Sequence, residues 1–112
     1  EQLFNPNVVK AVVAANGEAL YFSRSTVPHV RNVPETDWLS KHSFYKHIGM
    51  YAYRTDVLKR LTELPVSPLE KAESLEQLRW LENGFRIKIA ETKTETIGID
   101  TPEDLRRALA NL

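Results

Sequence analysis

SPLEKAESLEQLRWLE, residues Ser67 to Glu82, decides how the rest of the chain is arranged. Ser67 suits an N-cap, Pro68 the first helical position, and Glu70 stands three residues after the cap, which is a capping box with a proline start. Leu69, Ala72, Leu75 and Leu78, with Gln77 or Leu81, recur at three- and four-residue spacing, so the spacing predicts one helix with a single core-facing stripe. Asn83-Gly84 then offers the left-handed geometry that ends a helix. Glu73 and Arg79 read as solvent-facing or surface-paired groups. Glu76 and Gln77 fall in the middle of the helix, and a glutamine on its apolar side requires a partner.

The flanking sequence supplies strands and a loop. Val8 to Val13 is β-branched and apolar apart from Lys10, Asn16-Gly17 is a tight-turn signal, and Ala19 to Phe22 completes a hairpin. SRSTVPHVRNVPE, from Ser23 to Glu35, holds two prolines and little periodicity, so it is expected to be irregular and to serve binding or subunit contact. Trp38, Leu39, Phe44 and Tyr45 place aromatic and apolar bulk beside Lys41, His42 and Lys46. Lys46 to Arg54, KHIGMYAYR, alternates like a strand, with His47, Gly49, Tyr51 and Tyr53 on one face and a core face of Ile48, Met50 and Ala52. Extended backbone would hold His47 and Tyr51 roughly 13 Å apart.

Thr55 is a cap for a short helix to Leu61 or Leu64, with Val57, Leu58 and Leu61 buried. Phe85 to Ala90 reads as a strand, Ile97 to Ile99 as a brief apolar segment, and Thr101-Pro102-Glu103-Asp104 as the start of a last helix. Strands first, then helices, strands and a final helix describe an α/β chain with a mixed sheet. A hairpin without its neighbour is what the carboxyl half of a larger sheet would contain.

Composition removes several classes of function. Fifteen basic and fifteen acidic residues among 112 cancel, which argues against nucleic acid or an anionic membrane as partner. No cysteine is present, so disulfides, thiolate catalysis and cysteine–zinc sites are excluded. No apolar run has transmembrane length. A single partial domain, residues 1–112, is expected, and the absence of an initiator methionine suggests a longer parent.

Among polar residues, Asp100 follows an apolar segment and precedes a capped helix, where open α/β sheets place ligand or metal groups. It reads either as a magnesium ligand or as a helix N-terminal acid stabilised by the dipole. His47 and Tyr51 suit a groove for a hydroxylated or carboxylated substrate, or ordinary aromatic packing. Arg24 suits a carboxylate fork.

YFSRSTVP, KHIGMYAYR, SPLEKAESLEQLRWLENGFRI and GIDTPEDL, in this order, resemble the carboxyl-terminal half of the 3-deoxy-D-manno-octulosonate (KDO) cytidylyltransferases. The resemblance implies a Rossmann-like nucleotide-diphospho-sugar transferase fold and a cytoplasmic, usually homodimeric enzyme. Such an enzyme transfers CMP from CTP to KDO and releases pyrophosphate for lipopolysaccharide synthesis. It further implies magnesium at Asp100, KDO contacts at His47, Tyr51, Glu76, Gln77 and Arg24, and a dimer contact over roughly Ser25 to Pro34. The family's triphosphate loop, cytosine pocket and second metal-binding aspartate belong to its amino-terminal half and have no counterpart in this stretch, so the 112 residues alone are expected to be inactive. Alternatives are a transferase for a related sugar acid, or a non-catalytic binding or dimerisation domain.

Overall fold

A computed structural model describes residues 2–93 and 101–110. Strands β1 (Lys10–Val13) and β2 (Ala19–Ser23) form the hairpin, paired antiparallel from Lys10 opposite Ser23 to Val13 opposite Ala19, with an irregularity between Val12 and Val13. Its turn is closed by Ala14 N–H donating to Glu18 O and by the Asn16 side chain accepting from Glu18 N–H. Gly17 sits at φ 85°, a conformation costly for any residue with a Cβ. A two-residue strand β3 (Tyr45–Lys46) adds antiparallel to the other edge of β1, giving the order β2-β1-β3.

The expected strand from Lys46 to Arg54 ends almost where it starts. After Lys46, His47 N–H still donates to Val9 O at 2.8 Å, and then Met50 N–H turns back to Ile48 O at 2.7 Å. The supposed core face is open, with Met50 79% exposed and Ala52 exposed. Alternation proposes a strand, but it supplies no second edge to pair with, and the aromatic side of this segment finds better packing by curling. Phe85 to Ala90 is likewise reduced to one isolated bridge, Glu18 with Lys88, flanked by Ala19 N–H to Ile87 O and Ile89 N–H to Gly17 O.

Helix α1 (Trp38–Lys41) carries Trp38 into a local cluster with Phe4, His29 and Phe44, its indole N–H donating to Val33 O at 2.9 Å. Of the apolar bulk at residues 38–45, Trp38 and Phe44 enter this cluster, whereas Leu39 and Tyr45 are exposed. The stretch from 24 to 34 is irregular, as its prolines demand, with a cis Val27–Pro28 peptide. Helix α2 (Thr55–Thr62) begins after Arg54, so Thr55 is its first residue rather than its cap, and only Leu61 of the expected trio is buried. Ile97 to Ile99 lie outside the described residues. Helix α5 (Pro102–Ala110) starts as expected, with Asp104 N–H donating to Thr101 Oγ1 and Thr101 N–H to Asp104 Oδ2.

The decisive stretch is not one helix but two, α3 (Pro68–Glu73) and α4 (Gln77–Glu82). The capping box at Ser67 and Glu70 is formed as expected. The break comes at Ser74, whose φ of 55° is left-handed. The stripe changes accordingly: Leu69 and Ala72 are exposed, whereas Leu75 and Leu78 enter the core with Ala11, Ala19 and Phe22. Full burial of Phe22 and Leu78 is worth about 1.5–3 kcal/mol each. Across the break, Arg79 grips Glu70 with two bonds of 2.7 Å and donates to Leu64 O, so Arg79 is a packed tie between the helices rather than a solvent group. The Arg79 guanidinium hydrogen bonds hold the Glu70 carboxyl below its ordinary value.

A broken helix and a continuous one predict opposite responses at residue 74. In a continuous helix Ser74→Gly loses about half a kcal/mol, whereas at a left-handed corner it gains about 1 kcal/mol. We expect the gain, read as a higher urea midpoint at unchanged m; a lower midpoint would contradict the corner.

Candidate functional site

The curl after β3 brings together residues that an extended strand would separate. Tyr51 Oη and His47 Nε2 lie 2.8 Å apart in a hydrogen bond, replacing the expected separation. The His47 ring meets the edge of buried Phe22 at 5.0 Å, and Tyr51 and Tyr53 stack at 6.1 Å. Both tyrosines then present to Trp80 of α4 in edge-on contacts of 5.2 and 5.7 Å. Aromatic pairs of this geometry contribute about 0.5–1.5 kcal/mol each beyond their buried area. Trp80 thus docks the curled segment onto α4, a role its spacing on the helix did not announce.

Burial sets the electrostatics here. It holds the half-buried His47 imidazole below its ordinary value, so the ring is neutral at pH 7. Burial also pushes the Tyr51 phenol well up, with further contributions from Tyr53 and the Glu76 carboxylate. Tyr53 is raised by burial and then by Glu76. Glu76 therefore shares the electrostatic environment of both phenols, although no bond joins them.

Gln77 opens α4 with its side chain buried, and its Nε2 has no hydrogen-bond partner among the described residues. Leaving such a group unmet costs about 1–3 kcal/mol. A buried amide donor next in sequence to Glu76, whose carboxylate shares the environment of the two phenols, is a group of a type suited to hydroxyls on a ligand.

Arg24 lies at the corner preceding these residues. Its Nε donates to Glu73 O at 2.6 Å, Nη2 to Ser74 O and Nη1 to Pro6 O, both at 3.2 Å. Two guanidinium N–H groups thereby cap carbonyls at the end of α3, a third bonds Pro6 O, and two of the five remain for a carboxylate. Glu73 is not a solvent group. Its carboxylate accepts from Ser23 Oγ at 2.6 Å, Tyr21 Oη at 3.2 Å and Arg24 N–H at 3.0 Å. Burial opposes its ionisation, but these bonds outweigh burial and keep the carboxyl below its ordinary value. Lys10, which interrupted an apolar strand in sequence, is buried and donates to Asn5 O and Arg24 O.

Asp100 lies outside the described residues. Among the described residues no three His, Asp or Glu side chains form a metal-binding group. A cleft of about 420 Å³ between Leu3, Val8, Leu39 and Phe44 is lined by none of Arg24, His47, Tyr51, Glu76 and Gln77. His47, Tyr51 and Glu76 are thus brought into one neighbourhood, with Gln77 next to Glu76 and Arg24 tied to the corner before them.

The chain is α/β and carries imidazole and phenol groups on a curled segment, with a carboxylate and an amide at the start of a helix. The chain belongs to the cytidylyltransferase family, whose model matches residues 1–93. It is 64% identical over 110 residues to a 3-deoxy-manno-octulosonate cytidylyltransferase of Parabacteroides distasonis, covering 98% of this chain and 44% of the relative. Against the enzyme of that name from Porphyromonas gingivalis it is 55% identical over 112 residues, 100% of this chain and 44% of the relative. A solved structure described as CMP:2-keto-3-deoxy-manno-octonic acid synthetase complexed with CTP superposes with a TM-score of 0.84 at 44% identity, covering 96% of this chain and 42% of that one. The chain thus spans less than half the length of these relatives.

The depressed His47 pKa has a stability consequence. Below pH 6.5 the unfolded chain binds a proton that folded His47 refuses, so stability falls as pH drops from 6.5 toward the lowered folded value. Glu70 and Glu73 act in a separate window: their contribution is present above pH 4.5 and is lost as pH falls through their lowered values. Urea midpoints between pH 7 and 5 should decline, and His47→Gln should flatten that decline while leaving the acid limb in place. An unaltered slope in the variant would remove His47 as its source.

Proposed function

We propose that this chain is the acceptor-sugar side of a 3-deoxy-D-manno-octulosonate cytidylyltransferase. The parent enzyme transfers CMP from CTP to KDO, releasing pyrophosphate for lipopolysaccharide synthesis. The unpartnered Gln77 amide is the single observation that carries this reading: a donor buried at a cost is one that a bound ligand satisfies. Its neighbours supply the remaining recognition. Gln77 and the His47–Tyr51 pair meet sugar hydroxyls, Glu76 accepts from a hydroxyl, and the two remaining N–H groups of Arg24 meet the sugar-acid carboxylate.

In the reaction a KDO hydroxyl oxygen forms a bond to the α-phosphorus of CTP and gives up its proton to solvent, the bond from that phosphorus to the bridging oxygen breaks, and pyrophosphate leaves. The contribution of these residues is to orient the acceptor oxygen and exclude water, which is positioning rather than covalent catalysis. The described residues supply no metal cluster. Magnesium belongs to the proposal only through Asp100, where the ion would neutralise phosphate charge. A cytoplasmic homodimer with its contact over roughly Ser25 to Pro34 completes the reading. Among the described residues no helix is long and apolar enough to cross a membrane.

The protein containing this chain should release pyrophosphate from CTP only when KDO and magnesium are supplied, and silence with all three present would refute the substrate assignment. Asp100→Ala should abolish that turnover, and the 112 residues alone should show none. Gln77→Met separates binding from structure. It removes the unmet amide, so the ligand-free protein should be as stable as the parent or more so, while KM for KDO rises about tenfold. Lost stability with an unchanged KM would make Gln77 a structural residue.

A further inference from the structure

Glu73 and Glu76 are three residues apart, yet they play different parts, and the geometry between them has a consequence for the pocket. Three successive groups of β2 and its exit, Tyr21 Oη, Ser23 Oγ and Arg24 N–H, all donate to the Glu73 carboxylate. Tyr21 and Ser23 share one face of the strand, as residues two apart do, so one carboxylate spans both. Arg24 answers from the same point by capping Glu73 O and Ser74 O. At and beyond these ties the backbone turns through left-handed Ser74, Leu75 enters the core, and Glu76 and Gln77 follow at the entry to α4.

The strand that holds this corner also seats the other half of the pocket. Phe22, between Tyr21 and Ser23, meets the His47 ring, and His47 in turn bonds Tyr51. β2 is therefore the common support of both pairs: through Phe22 for His47 and Tyr51, and through Glu73 for Glu76 and Gln77.

We propose that Glu73 is a positioning residue, whose three-donor carboxylate sets the register of the Glu76–Gln77 pair against the His47–Tyr51 pair. The inference rests on those four residues meeting the acceptor sugar, as proposed above. Glu73 itself touches no substrate. Its effect is to hold the α3–α4 corner against β2 so that the buried amide of Gln77 faces the ligand in one geometry. A corner freed from β2 retains Leu75 and Leu78 in the core, so the helix persists while its first turn loses registration.

The test is steady-state kinetics on the full-length enzyme containing this chain, with KDO and CTP varied separately. Glu73→Met keeps the side-chain length and deletes the acceptors; KM for KDO should rise about tenfold while KM for CTP stays within about twofold. Glu73→Gln should restore the KDO KM to within about threefold of the parent, because its amide oxygen accepts from Arg24 N–H and its NH2 donates to hydroxyls free to rotate. A purely structural role predicts instead a smaller active fraction, with kcat reduced and both KM values unchanged, and that result overturns the proposal. So does an unaltered KDO KM in Glu73→Met. Where Glu73→Met does not fold, Tyr21→Phe combined with Ser23→Ala removes two donors from the opposite side and is judged by the same split. Gln77→Met in the same assay distinguishes the two readings. A raised KDO KM there with none in the Glu73 variants sinks positioning alone, whereas an unchanged KDO KM in Gln77→Met removes the pocket on which it rests.

Discussion

One carboxylate holds the corner on which the site depends. Glu73 ends α3, accepts three hydrogen bonds from β2 and its exit, and is matched by Arg24 donating back to the carbonyls that α3 leaves open. A helix C-terminus carries four unsatisfied carbonyls and a partial negative charge, so a guanidinium there answers both. The exchange is reciprocal, with an acid on the helix bonding the strand and a base on the strand bonding the helix. Lys10, bonded to Arg24 O, extends the tie into β1. The left-handed backbone at Ser74 is tolerable because contacts on both sides of it over-determine the turn.

Around that corner, satisfied and unsatisfied polar groups are divided unevenly. Glu73, Arg24, Lys10, Glu70 and Arg79 all have close partners, and each joins secondary elements. Gln77, buried two residues after Leu75 begins the core, has an amide nitrogen with none. Among the described residues the buried charges are paired with this consistency, and the unmet Gln77 amide donor lies where a ligand is proposed to sit. Aromatic contacts supply the rest of the geometry, since Trp80 and Phe22 hold the curled segment from two sides without consuming its polar edges.

The departures from the sequence reading share a cause. The three-and-four spacing of Leu69, Ala72, Leu75 and Leu78 is continuous through Ser74, and nothing adjacent to that serine announces a break. The groups that hold the corner come from Tyr21, Ser23 and Arg24, about fifty residues away, and no local pattern contains them. KHIGMYAYR alternates as a strand should, but whether it pairs or curls depends on Trp80, which lies on another element. For the same reason the local pattern reads Glu73 and Arg79, charged residues on an amphipathic helix, as solvent-facing or surface-paired groups, and does not show which elements they join.

What the sequence determined by itself is local: the capping boxes at Ser67 and Thr101, the proline starts of two helices, the Asn16-Gly17 turn and the β1–β2 hairpin. Each depends on one residue's conformational preference or on a side chain reaching backbone three residues away, so a short window contains the whole interaction. Motif resemblance nominated the site residues, but periodicity alone left Glu76 and Gln77 as unexplained polar groups. Tertiary structure alone decided that the long helix is two, that His47 and Tyr51 touch, and that Glu73 binds a strand. Those outcomes rest on contacts between residues far apart in the chain, whose energies compete with local preference and, at this corner, exceed it.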